Sequence, residues 1–176
     1  MKILKILLGL VALLAVVLVA GGYLLSPKFS VTRSVLVNAP ADKVYALIAS
    51  PRQWPSWSVW NQRDPAMTID YSGPEAGAGA AWAWKSRSEG DGKMRFTAAE
   101  PNQRVVYSLV FPDFENPSTG ELRLAGEGGA TRVTWVMSGD TGGNPLYRWF
   151  ALGADRLIGK DFEAGLANLK ALAEKP

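Results

Sequence analysis

Histidine and cysteine are both absent from the 176 residues. Without cysteine there are no disulfides, thiol nucleophiles or thiolate metal sites, and the compartment is left open. Without histidine, Ser-His and Cys-His nucleophile pairs and imidazole metal sites are excluded, which leaves carboxylates, Tyr, Lys and Arg for any acid–base work. Runs of Lys and Arg are missing as well. Setting Lys2 and Lys5 aside from the 19 basic residues leaves 17 against 16 acidic ones, so the formal net charge of +3 falls to +1 for the rest of the chain. That balance lacks the electrostatic footprint of a nucleic-acid binder, and no nucleic-acid partner is expected. The acidic residues are scattered, with no pair spaced as a metal site or an acid–base couple. No catalytic residue stands out, and no metal and no cofactor is expected. The lone Asn-x-Ser/Thr triplet, Asn116-Pro117-Ser118, is disqualified for glycosylation by its proline.

What is present begins with an apolar run. Ile6 to Leu25 holds no charge, and at about 20 residues it matches the roughly 30 Å hydrocarbon thickness of a bilayer. Lys2 and Lys5 flank its front, so the positive-inside rule puts the N-terminus in the cytoplasm and the rest of the chain outside the inner membrane. Ala20-Gly21-Gly22 would also serve as a small-residue cleavage site, which keeps a signal peptide open beside the uncleaved anchor. The expected organisation is an N-terminal transmembrane anchor or signal segment over 1–25, a linker over 26–28 and one domain over 29–176.

Beyond the Ser26-Pro27-Lys28 linker the pattern alternates. Phe29, Val31, Val35 and Val37 share one face of a first strand, opposite Ser30, Thr32 and Ser34. A helix starting at Pro40 follows, with Val44, Tyr45, Leu47 and Ile48 as its apolar face, and Gln53 to Trp60 reads as one or two helical turns. From Met67 the period is two. Met67, Ile69 and Tyr71 lead, then Ala80, Trp82 and Trp84, then Met94, Phe96 and Ala98, then Val105, Tyr107, Leu109 and Phe111. Gly120, Leu122 and Leu124, and Val133, Trp135 and Met137, complete six strands joined mostly by hairpin turns, so an antiparallel sheet is expected. Gly73, Gly77 and Gly79 superficially suggest a phosphate loop, but no Gly-Lys-Ser/Thr ending follows and the segment leads into a strand.

Asn144-Pro145 then opens a long helix, an Asn cap followed by a proline pre-set for the first helical position. Leu146, Trp149, Phe150, Gly153, Leu157, Phe162, Leu166, Leu169 and Leu172 recur at helical spacing, a face expected to cross the concave apolar side of the sheet. Gly153 and Gly159 make a kink or break plausible, and Gly165 lets the helix lie close to the sheet. Asp161 and Glu163 read as its solvated face, with one of them facing the cavity as the alternative.

This order, with Val37-Asn38-Ala39-Pro40-Ala41-Asp42-Lys43-Val44-Tyr45, Trp54-Pro55-Ser56-Trp57-Ser58, Thr131-Arg132-Val133-Thr134-Trp135 and Phe162-Glu163-Ala164-Gly165-Leu166, resembles the START-like superfamily known as SRPBCC. The similar branch is that of polyketide cyclases/dehydrases and lipid-transport proteins. The resemblance implies an α+β helix-grip fold: a curved antiparallel sheet of about seven strands, two short helices after strand 1, and a long C-terminal helix. It also implies a deep hydrophobic cavity between sheet and helix.

Tryptophan, seven times present, offers a large apolar ring and an N–H donor, which suits a cavity wall that receives amphipathic ligands. Trp57, Trp82, Trp84, Tyr107, Trp135 and Phe162 are the candidate ligand contacts, and packing of the core is the competing role for each. The leading expectation is a membrane-tethered domain that binds or transports a hydrophobic or amphipathic small molecule, a lipid among the candidates. A metal-free cyclase- or dehydratase-type enzyme and a protein-partner-binding module are the alternatives, since a fold of this kind does not dictate activity.

Overall fold

Alternation of apolar and polar residues gives a sheet one dry face, and in the computed structural model it does so across seven antiparallel strands. Residues 2–114 and 116–176 are described; Met1 and Glu115 lie outside them. The elements are α1 (Lys2–Leu24), β1 (Lys28–Val37), α2 (Ala41–Ile48), a 3₁₀ turn (Pro51–Ser56), α3 (Val59–Arg63), β2 (Thr68–Ser72), β3 (Ala81–Lys85), β4 (Gly92–Glu100), β5 (Arg104–Val110), β6 (Ser118–Glu127), β7 (Ala130–Asp140) and α4 (Pro145–Ala173). The strand order β1-β7-β6-β5-β4-β3-β2 makes β1 and β2 the two edges, and the short helices carry the chain between them. With α4 packed along β1 and against β7, this is the α+β helix-grip architecture.

Asn144 caps α4 as its sequence suggests: the side-chain oxygen accepts from the Leu146 amide at 3.0 Å, and Pro145 occupies the first turn. The helix then runs 29 residues without a break. Gly153 does not interrupt it, and Gly159 serves close approach: a Cβ there would stand 2.0 Å from the Arg33 guanidinium. Toward its C-terminus Phe162, Gly165, Leu166, Leu169 and Ala173 are buried. Phe162 stacks flat on Trp135, ring centroids 3.9 Å apart and 7° from parallel, and a Cβ on Gly165 would press within 3.2 Å of the same indole. Glycine is what lets helix and sheet meet there.

The Trp54 and Trp57 indoles donate to the carbonyls of Ile48 and Leu47, at 2.9 and 3.1 Å. Carbonyls at a helix C-terminus have no partner within the helix, so these two rings finish α2 while their apolar faces enter the core.

Three local features depart from the simple periodicities. Between Phe96 and Ala98 the pairing of β4 with β5 slips by one, so Ala99, not Ala98, pairs with inward-facing Val105 and packs against the core. A bulge inserts one residue and reverses the alternation beyond it. The stretch after Pro51 divides into the 3₁₀ turn and α3, which reaches Arg63. Arg33 occupies an inward position on β1 between Val31 and Val35, and its guanidinium binds Asp155 at 2.8 Å and Glu163 at 2.6 Å on α4. Glu163 is therefore tied to the sheet edge.

α1 is long and apolar enough, by length and composition, to cross a membrane. Its last turns touch the start of α4. A Cβ on Gly22 would fall 2.2 Å from the Pro145 carbonyl oxygen, and one on Gly21 would fall 2.9 Å from the Trp149 ring. The small pair thus provides close approach between helices.

Candidate functional site

The half of α4 beyond Phe162 closes against β1 and β7, whereas Phe150, Ile158 and Asp161 stand off the β3–β5 part of the same inner sheet face. The gap is a pocket of about 360 Å³. Its floor is the inner face of β3, β4, β5 and β7, through Trp82, Met94, Tyr107, Leu109 and Met137. These side chains point inward because each sits in phase with the dry face of its strand. Trp54 and Trp60 come from the short helices, and Phe150 and Ile158 from α4. At the mouth, Trp84 lies across Gly92, where a Cβ would stand 2.3 Å from its ring, and its N–H donates to the Gly90 carbonyl at 2.9 Å. Phe111 meets Trp84 edge-on, and Phe114 packs on Tyr147 and Phe150 with centroids 5.1 and 5.5 Å apart. Such a predominantly apolar hollow, within the usual few hundred cubic ångströms, accommodates one small organic molecule.

Two polar arrangements stand out in a wall that also carries Ser58, Asn61, Asp91 and Asp113. On the floor, the Tyr107 hydroxyl accepts from the Trp135 indole N–H at 2.8 Å. No acceptor for the tyrosine's own proton stands among the described residues. Burial pushes the Tyr107 phenol well above its ordinary range, the indole donor opposing only in part, so at neutral pH it is a proton donor and not a base. Its ring lies so close over β6 that only glycine fits at position 120, where a Cβ would be 1.9 Å from the ring.

At the mouth, Arg63 grips two carboxylates. Its guanidinium holds Asp161 of α4 at 2.7 and 3.1 Å, and Glu89 of the β3–β4 hairpin at 3.1 and 2.8 Å. Trp60 also donates to Asp161, at 3.0 Å. These charge-assisted bonds hold the Arg63 guanidinium above even its ordinary high pKa, the bond to Asp161 contributing most. The hairpin is braced further where the Ser86 hydroxyl donates to Asp64 at 2.6 Å and accepts from the Glu89 amide at 2.9 Å. Two bidentate grips on one cation therefore strap the β3–β4 hairpin to α4 across one side of the mouth. Asp161, expected on a solvated face, is part of that strap.

Of the six residues singled out in the sequence, Trp82, Trp84 and Tyr107 line the pocket. Trp57, Trp135 and Phe162 are fully buried and sit behind the wall, pressed together where α4 closes on the sheet. Trp135 reaches the pocket only through its bond to Tyr107. Sequence reasoning missed Met94, Leu109, Phe114, Phe150, Ile158 and the Arg63 strap. For Met94 and Leu109 the signal was available in strand phase. For Phe114, in a turn, and for Arg63, near the end of a five-residue helix, no local periodicity marks the role.

Among the described residues, no group of three or more potential metal ligands is gathered in one place.

Comparison with known proteins agrees with this geometry. The family described as polyketide cyclase/dehydrase and lipid transport matches residues 28–174. No curated protein sequence matches significantly. Among solved structures, protein CV1439 from Chromobacterium violaceum is similar with a TM-score of 0.58 and 16% identity, over 84% of this chain and 98% of that one. Ara h 8.0201 is similar with a TM-score of 0.58 and 9% identity, over 83% and 97% respectively. The di-domain ARO/CYC BexL of the BE-7585A biosynthetic pathway is similar with a TM-score of 0.60 and 21% identity, over 85% of this chain and 51% of its own length. At these identities the likeness is one of fold.

Proposed function

The chain belongs to the polyketide cyclase/dehydrase and lipid-transport family, and from that premise we propose that it binds a hydrophobic or amphipathic small molecule in the pocket between β3–β5 and α4, tethered to a membrane by α1. The observation that carries this reading is the apolar pocket with the buried Tyr107 hydroxyl on its floor. Its aromatic and aliphatic walls fit a ring system or acyl chain. The Tyr107 proton, left over after the hydroxyl accepts from Trp135, is given to a carbonyl or hydroxyl oxygen on the ligand. Four carboxylates line the pocket: Glu89 and Asp161 are engaged by Arg63, while Asp91 and Asp113 have no ion pair among the described residues, so the reading of binding over turnover rests on the apolar floor and not on the carboxylates.

Tethering matters because a ligand leaving the bilayer then meets a receptor at high local concentration. Native mass spectrometry of the full chain released from lipid nanodiscs tests the reading. The expected result is a discrete small-molecule adduct that Leu109→Trp, filling the floor, removes and that Val110→Trp, on the outer face, retains. An adduct that survives Leu109→Trp would place the ligand elsewhere and overturn the proposal. A clean apo mass for the wild-type chain would turn the reading toward a protein partner.

A further inference from the structure

The first half of α4 carries an apolar face that is covered only in part, where Trp149 meets α1. Leu146, Trp149, Leu152 and Leu157 are exposed, Leu152 by 65% and Leu157 by 60%. At roughly 3.6 residues per turn they fall on one side of the helix together with Arg156 and Lys160. Both cations are exposed, and neither pairs with a carboxylate among the described residues. The carboxylates nearest in sequence, Asp155 and Asp161, are already held by Arg33 and Arg63.

The same turns are fastened to α1. The Trp149 indole donates to the Leu18 carbonyl at 2.9 Å, and Arg148 donates to the carbonyls of Tyr23 and Leu25 at 3.2 and 3.3 Å. Leu18 precedes the end of α1 at Leu24 by six residues. Trp149 therefore sits about 9 Å back along the apolar helix, at 1.5 Å per residue. Where α1 crosses a bilayer with its apolar run matched to the hydrocarbon, the boundary between headgroups and acyl chains lies near Leu25, and a ring about 9 Å inside it is within the roughly 5–10 Å to which the apolar face of an interfacial helix sinks.

We propose that the exposed face of α4 from Leu146 to Lys160 is a docking surface for an anionic lipid bilayer. Leu146, Trp149, Leu152 and Leu157 enter the acyl boundary, and Arg156 and Lys160 meet lipid phosphates. Ile158, on the opposite side of the same turns, and Phe150, on the flank beside Leu146 and Leu157, line the pocket. The helix then forms a partition with lipid on one side and the ligand space on the other, and Phe114 stands at the rim between them. This rests on α1 being a membrane helix, and the test separates the two claims.

Because the chain has no cysteine, single nitroxide labels can be placed at L152C, at L13C in α1, and at K93C on the outer sheet face. Each full-length variant is reconstituted into phosphatidylcholine–phosphatidylglycerol vesicles, and collision with a water-soluble nickel chelate is read by electron paramagnetic resonance. The expected result is loss of collisions at 152 and 13, and full access at 93. Access at 152 equal to that at 93, with 13 still shielded, overturns the docking, leaves the anchor standing and returns the face to a protein partner. Access at 13 as well overturns both. Adding R156Q and K160Q to L152C is expected to restore access at 152, and persistent shielding overturns the anionic component.

Discussion

Between Phe162 and Ala173, α4 meets the sheet and β1 with buried Phe162, Gly165, Leu166, Leu169 and Ala173. Between Leu146 and Ile158 the same helix keeps Leu146, Leu152 and Leu157 outside and lends Phe150 and Ile158 to a pocket wall. Both halves are rich in apolar residues, and hydrophobicity alone does not separate them. Side-chain size at the contact does. Gly159 and Gly165 let the helix come down onto Arg33 and Trp135, while the bulky Phe150 and Ile158 hold it away from the floor. One half seals the fold, and the other leaves room for a guest.

The contrast can be broken most severely in the closed half. Phe162→Ala removes a fully buried ring stacked on Trp135, and a loss of about 3–5 kcal/mol is expected in denaturant unfolding of the full chain in detergent. On the floor shared by both halves, Gly120→Ala drives a methyl into the Tyr107 ring. The expected cost is about 1–3 kcal/mol, together with weaker retention of any pocket ligand in native mass spectrometry. Acid unfolding probes the fastening between the halves. The Arg33 guanidinium holds the Asp155 carboxyl below its ordinary range. A carboxylate whose folded pKa is depressed contributes stability that is full above the unfolded pKa and is lost as pH falls through the folded one. Arg33→Gln is therefore expected to flatten the fall in thermal stability below about pH 4. The smallest effect is expected in the open half, where Leu152→Ser should change stability in detergent by no more than about 0.5 kcal/mol. A larger loss would mean that this face packs within the protein itself.

Much of the sheet was legible because one buried face imposes a period of two, and Trp82, Trp84 and Tyr107 followed from that phase. The Thr97 bulge was not, since nothing in Phe96-Thr97-Ala98-Ala99 distinguishes an extra residue from a regular one. Arg33 carried a readable signal, a charge in the middle of an apolar alternation, which on an inward face requires a partner. The two halves of α4 could not be told apart by periodicity. Leu146, Trp149 and Leu157 match the helical repeat as well as Leu166 and Leu169 do, and which of them meets the sheet depends on distances set by glycines and rings far away in the chain. The pocket wall at Phe114 and Phe150 is a product of that standoff, so it was visible only in three dimensions.

The tryptophan cluster has an optical consequence. Trp54 lies 4.6 Å from Trp57, 5.2 Å from Trp82 and 5.9 Å from Trp135, and Trp57 and Trp60 lie 5.4 and 5.9 Å from Trp135. At such separations the indole transition dipoles couple, so the near-ultraviolet circular dichroism of the protein is a collective exciton signal and excitation migrates among the rings. Trp54, Trp60 and Trp82 border the pocket while Trp57 and Trp135 lie behind it. A guest that touches the wall will therefore alter the emission of rings it never reaches, and the fold carries its own unlabelled spectrometer for occupancy.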